Sequence, residues 1–276
     1  MGRDVGSETR EVKVSERPAR SRRDLSPRLL LTNDDGVSAP GLRLLAEQLD
    51  SLYDVVVAAP ARDMSGSGTG IGRFDAREGI ELQRVGWNGI EAYTVDGPPG
   101  LAVMAAALGA FGAKPDVVVS GINAGVNTGH SVIHSGTVGA VLTARTFGSF
   151  GMAVSLAHSD PWQWGAAAEM AVGIIRWLLK QDHKEMVLNV NVPALPRDRL
   201  RGLKWAALDE FGVFRVATAD YEGSRLQFQI GGADAGVDPA SDTALCSEGF
   251  VTLTPLTTVE GAAFPAVPAE SILADD

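Results

Sequence analysis

Residues 28–60 read RLLLTNDDGVSAPGLRLLAEQLDSLYDVVVAAP. Leu29, Leu30 and Leu31 form a continuous apolar run, the pattern of a strand buried on both faces. Thr32, Asn33, Asp34, Asp35 and Gly36 then break the run with polar and turn-forming residues. Pro40 suits a first helical turn, and Leu42, Leu45, Ala46 and Leu49 follow at helical spacing, so the pattern predicts a helix over 40–50. Val55 to Ala59 is a second buried strand, stopped by Pro60. A β–loop–α–β order this short is the mark of a parallel α/β sheet.

The same alternation continues outward. Ile80–Val85 and Ile90–Val95, joined through Gly86 to Gly89, read as a hairpin. A small-residue helix runs from Pro98 to Phe111, and Asp116–Val119 is a third buried strand. A long Gly/Asn/Ser loop spans Ser120 to Ser135, before a helix over Thr137–Phe147 and a strand over Met152–Ser155. Ala166–Leu179 is an amphipathic helix and Met186–Val190 a strand. Beyond Pro193 and Pro196, Leu203–Leu208, Phe214–Thr218 and Arg225–Ile230 read as antiparallel strands forming an arm. Ser241–Ser247 fits a short helix and Gly249–Leu253 another strand.

The 276 residues are 45% apolar and 21% charged, enough for a large buried core and too apolar for a disordered chain. The longest apolar stretch, Leu101 to Gly112, falls short of the roughly 18 residues a membrane span needs. The N-terminus is charged from Arg3 and has no apolar segment after it, unlike a secretory signal. The one cysteine, Cys246, suits a reducing compartment, so a cytoplasmic protein is expected. Residues 1–28 carry a net charge of +3 and the rest −13. An acidic body argues against general nucleic-acid binding, which needs a basic face. Residues 1–27 read as a disordered charged tail, 28–256 as one functional unit with its core to about 193, and 257–276 as a loose Ala/Pro-rich tail.

In open parallel sheets, ligands bind beyond the C-terminal ends of the strands. Three polar loops fall there: Asn33 to Gly36, Arg62 to Gly68, and Ser120 to Asn127. Adjacent carboxylates in an enclosed site repel unless a cation lies between them. Asp34, Asp35, the hydroxyl of Ser65 and the amide oxygen of Asn123 make a hard oxygen set suited to one Mg2+ or Mn2+. Alone, Asp-Asp-Gly reads as a turn and helix cap. Directly after a buried strand, with two more polar loops at the same edge, a metal site accounts for it better.

Ser135-Gly136-Thr137 opens a helix, whose N–H groups and dipole make an anion seat, with Ser135 or Thr137 able to donate a hydroxyl; an ordinary N-cap is the other reading, and this element alone does not distinguish them. Gly66, Gly68, Gly70 and Gly72 match neither the dinucleotide fingerprint nor the P-loop and read as a flexible lid. No two of His130, His134, His158 and His183 have zinc-helix spacing; His130 and His134 lie near the anion seat and read as surface or structural histidines, with an acid as the alternative role, and His183 reads as a helix C-terminal cap.

The stretches LLLTNDDGVSAPG (29–41), VVSGINAGVN (118–127) and SGTVGA (135–140) resemble the SurE family of stationary-phase survival proteins, which are 5′/3′-nucleotidases. NVNVP (189–193) and GFVTLTPL (249–256) match it too. The resemblance implies an α/β fold with a Rossmann-like parallel sheet core, helices on both faces and a C-terminal antiparallel arm region, assembling as a homodimer or homotetramer. It implies a phosphomonoesterase with one divalent metal ion per subunit, held by Asp34, Asp35, Ser65 and Asn123, acting on a small phosphorylated substrate such as a nucleotide. Asn33 and Gly36 would shape the first loop, and Asn127, Ser135, Gly136 and Thr137 would line the phosphate side. Met64 and Gly68 stand where the family usually has a basic residue and a serine, and Gly100 where it often has Asp. Two alternatives remain: a Mg2+-binding phosphoacceptor module, which would need a Lys after a late strand, and a nucleotide-binding oxidoreductase.

Overall fold

The computed structural model describes residues 26–73, 77, 79–181, 187–211, 216–223, 225–231 and 237–258. Both expected tails therefore fall largely outside the described residues, as do His183 and the first residues of the strands expected from Met186 and Phe214. The chain begins β1 (Arg28–Thr32), α1 (Pro40–Asp50), β2 (Asp54–Pro60), β3 (Leu82–Trp87), β4 (Ile90–Val95) and α2 (Pro99–Ala107). It continues β5 (Val117–Ala124), a 3-10 helix (Gly129–His134), α3 (Gly136–Thr146), β6 (Phe150–Leu156), α4 (Trp164–Leu178) and β7 (Val187–Val192). Then come β8 (Leu203–Trp205), β9 (Val216–Glu222), β10 (Arg225–Gly231), α5 (Asp242–Ser247) and β11 (Val251–Leu256).

Among the described residues, nine strands form one sheet in the order β3-β4-β2-β1-β5-β6-β7-β11-β8. The pairings from β4 through β2, β1, β5 and β6 to β7 are all parallel. Alternate strand residues serve opposite faces. Leu29, Leu31, Val55, Val57, Val117 and Val119 pack with residues of α1 and α4, while Leu30, Val56, Ala58 and Val118 pack with α2 and α3. This is why the leucine run needs no polar residue. Strand order runs outward from β1 in one direction and from β5 in the other, so the switch point lies between them.

Four expectations need correction. The β3–β4 turn falls at Asn88-Gly89, not Gly86 to Gly89. Both turn residues have positive φ (42° and 92°), the conformation a two-residue hairpin turn requires. The helix expected to reach Phe111 ends at Ala107, where Gly109 and Gly112 take positive φ. β5 runs on to Ala124 because Asn123 and Ala124 pair with Ser155 and Leu156 of β6, and a 3-10 helix fills much of the expected loop. β8 is three residues long and pairs parallel with β11 in the main sheet, not antiparallel in an arm. β9 and β10 do form a separate antiparallel ribbon.

Candidate metal and phosphate site

The first loop turns sharply after β1. Asn33 Oδ1 accepts the Gly36 N–H at 3.1 Å, and Gly36 takes φ 99°. The N–H of Val37 reaches the Pro60 carbonyl at 2.8 Å, and that of Met64 reaches the Asp34 carbonyl at 2.7 Å. The loops after β1 and β2 are thereby stitched together at their backbones.

Asp34 is buried, 3% exposed, and both of its carboxylate oxygens are engaged. Oδ2 accepts the N–H of Gly136 at 3.0 Å, and Oδ1 accepts the hydroxyl of Thr137. The start of α3 thus grips the first acid. A side chain at Gly136 would not fit: its Cβ would lie 2.5 Å from Ser67 Oγ and 2.7 Å from Asp34 Oδ2. Ser135 caps the helix by accepting the Val138 N–H at 3.1 Å. The Thr137 hydroxyl is therefore committed within the protein, while the Ser135 hydroxyl, an acceptor in its cap, keeps its own hydrogen to donate. The start of α3 also offers an anion its dipole.

Asp35 is half-buried and accepts the backbone N–H of Ala124, at the end of β5. Burial pushes its carboxyl up to about 6, with Asp34 and Asp63 adding repulsion. Among the described residues no Lys or Arg contributes to that shift. Asn123 donates its side-chain N–H to the Gly125 carbonyl at 2.8 Å, which leaves Oδ1 facing Thr137 Oγ1 at 3.3 Å. Ser65 is exposed and bonds Asp63 Oδ1 through both its N–H (2.8 Å) and its hydroxyl (2.6 Å), which holds the Asp63 carboxyl below its usual range.

The second loop is not an open flap over these groups. The Gly68 N–H reaches the His134 carbonyl at 3.2 Å, and a Cβ on Gly139 would lie 2.0 Å from the Gly68 carbonyl oxygen. Gly136 and Gly139, one helical turn apart, clear a channel on α3 for this loop. Ser67 Oγ and Asn33 Nδ2 are buried without a hydrogen-bond partner among the described residues, so the site keeps unsatisfied polar groups.

Among the described residues, no group of three or more His, Cys, Asp and Glu side chains gathers to hold an ion. Asp34, Asp35, Ser65 and Asn123, the residues expected to hold an ion, offer oxygen donors alone. That chemistry fits a hard divalent cation such as Mg2+ or Mn2+ and would suit a softer ion poorly.

Asn127 is bonded to β6 and β7. Its N–H donates to Asn191 Oδ1 at 2.8 Å and its side chain to Ser155 Oγ at 2.8 Å, while its carbonyl accepts from Asn189 and Asn191 at 2.7 and 2.9 Å. Asn189 and Asn191, in the NVNVP stretch, thus hold Asn127. Two fully buried amides on one face of an otherwise apolar strand need partners. His130 and His134 lie on the 3-10 helix, both exposed, with backbone bonds to Asp209 and Gly68. Cys246 is buried, and burial with the nearby Asp242 pushes its thiol up to about 12, unsuited to a nucleophile.

A family model described as Survival protein SurE matches residues 29–212. A 5'-nucleotidase SurE of Aeromonas hydrophila is 35% identical over 236 residues, covering 83% of this chain and 92% of that protein. A 5'/3'-nucleotidase SurE of Shigella dysenteriae is 36% identical over 237 residues, covering 83% and 89%. The crystal structure of the SurE protein from Aquifex aeolicus superposes with a TM-score of 0.73 at 26% identity, covering 90% of this chain and 97% of that one.

Proposed function

The chain belongs to the SurE family, and from that premise we propose that it is a hydrolase of phosphate monoesters, with nucleoside 5′- or 3′-monophosphates as substrates and one divalent ion per subunit. The observation that carries this is the Asp34–Asp35 pair at the switch point. One acid is locked by α3; the other is pushed up to about 6 with no cation beside it among the described residues.

Asp34, Asp35, Ser65 and Asn123 are the residues that would hold Mg2+ or Mn2+. When bound, the ion supplies positive charge that offsets the charge developing in phosphoryl transfer and lowers the pKa of water. Asp34, fixed by Gly136 and Thr137, is the rigid ligand. Asp35 orients the attacking water and accepts its proton as the water oxygen bonds to phosphorus; the ester P–O bond breaks and the leaving oxygen takes a proton from solvent water. Gly136 and Thr137 serve the phosphoryl group by holding Asp34 and by presenting the positive end of α3. Ser135 caps that helix, Asn33 and Gly36 shape the loop of the two acids, and Asn127 anchors the loop that precedes α3.

The phosphoacceptor alternative has no Lys after β6, where Ala157 and His158 follow Leu156. A homodimer or homotetramer is in keeping with the separate β9–β10 ribbon. The single cysteine, buried as a thiol, is in keeping with the cytoplasm. No helix among the described residues is long and apolar enough to cross a membrane.

A panel of phosphate esters tests the reading: nucleoside 5′- and 3′-monophosphates, sugar phosphates and short polyphosphate, each with Mg2+ or Mn2+. Phosphate release is expected to be fastest from a nucleoside monophosphate. No release from any ester would refute the proposal.

A further inference from the structure

Among the described residues, the most buried acid outside the site is Asp242, at the start of α5, with no exposed surface. Three backbone N–H groups converge on it. Gly129 donates to both oxygens at 3.1 and 3.0 Å, Asp209 donates at 3.0 Å and Thr243 at 2.9 Å. Charge-assisted bonds of this kind are stronger than neutral ones, and they offset part of the cost of burial, which still pushes the Asp242 carboxyl up. Two further bonds close the arrangement: His130 N–H to the Asp209 carbonyl at 3.0 Å, and Asp242 N–H to the Ala207 carbonyl at 2.8 Å.

Gly129 has φ 60° and opens the 3-10 helix that runs to His134. Its next residues are Ser135, which caps α3, and Gly136 and Thr137, which hold Asp34. On the other side, Asn127 is fixed to β6 and β7. The loop is therefore held by Asn127 on one side and, on the side leading to α3, by the grip of Asp242 on Gly129 and by the Gly68 N–H on the His134 carbonyl. In sequence, Asp209 and Asp242 also bracket the β9–β10 ribbon.

We infer that Asp242 is a positioning residue: by gripping Gly129 it sets the loop from Gly129 to Thr137, and so the place of Asp34. The catalytic half of this inference rests on the phosphomonoesterase reading; the structural half does not. Asp242→Asn keeps the volume of the side chain but turns one oxygen facing the Gly129 N–H into a second donor, which opposes it.

Two measurements on the full chain separate the halves. Amide hydrogen exchange is expected to show protection lost over residues 129–137 in Asp242→Asn, with β6 and α4 unchanged. Steady-state kinetics with a nucleoside monophosphate is expected to show kcat lowered by about tenfold or more with KM nearly constant, as misplacement of a catalytic group predicts. Ile175→Val, a mild truncation in the core of α4, should lower stability and leave kcat alone. Unchanged exchange over 129–137 would overturn the inference, and so would loosened exchange with full kcat. A wild-type enzyme that hydrolyses no ester refutes the function instead, while the exchange result still decides the clamp. If Asp242→Asn does not fold, the wild-type amides decide: Gly129 must exchange as slowly as β6, and rapid exchange there overturns the clamp.

Discussion

Gly136 donates its backbone N–H to Oδ2 of Asp34 at 3.0 Å, a bond that spans 102 residues of sequence. It joins the first turn of α3 to the loop after β1, across the point where the strand order reverses. The first acid is thereby placed by a helix start, and its neighbour Asp35 is held by the end of β5.

Gly136 is predicted to tolerate no side chain. In Gly136→Ala the new Cβ would sit 2.5 Å from Ser67 Oγ and 2.8 Å from Asp34 Cβ. Both the second loop and Asp34 must shift. Overpacking of this kind costs about 1–3 kcal/mol. Phosphate release should fall by about 100-fold while the circular dichroism spectrum stays that of a folded α/β protein. Full activity in this variant would show that the α3–Asp34 contact is dispensable.

Thr137→Val removes the hydroxyl that Asp34 Oδ1 accepts and keeps the side chain's shape. A buried acceptor left without its donor costs about 1–3 kcal/mol. The melting temperature is expected to drop, and kcat with it. Thr137→Ser, which retains the hydroxyl, should recover most of both.

Asp35 makes the fold pH-dependent in a particular direction. Its folded carboxyl titrates at about 6 against an ordinary 3.8. Because the folded pKa is raised, the stability it contributes is fully present below about 3.8 and is lost as pH rises through about 6. In EDTA, the melting temperature of the wild type should therefore fall relative to Asp35→Asn between pH 4 and pH 7. At pH 7 the metal-free variant should be the more stable protein and the less active one. A difference that stays flat across this range would contradict the assignment.

Much of the fold was legible because parallel strands buried on both faces leave plain apolar runs, as at Leu29–Leu31 and Val55–Ala59. The convergence of the first three polar loops followed from the same topology. The end of β5 was not legible: Gly121, Asn123 and Gly125 look like loop, and only pairing with Ser155 and Leu156 makes a strand of Asn123 and Ala124. β8 was misread because its partner, β11, lies almost fifty residues later. At Thr137, sequence spacing shows that a helix begins but not that Asp34 accepts the hydroxyl. Asp242 read as part of an ordinary short helix, because nothing local betrays a carboxylate buried under backbone N–H groups from two other segments.

The most direct test is phosphate release from a nucleoside 5′-monophosphate by protein stripped with EDTA and then supplied with Mn2+, for the wild type and for Asp35→Asn. The account predicts that the stripped wild type is silent, that Mn2+ restores it, and that Asp35→Asn stays at least about 100-fold slower at every Mn2+ concentration. Undiminished release after stripping, or a wild-type rate from Asp35→Asn, would contradict it.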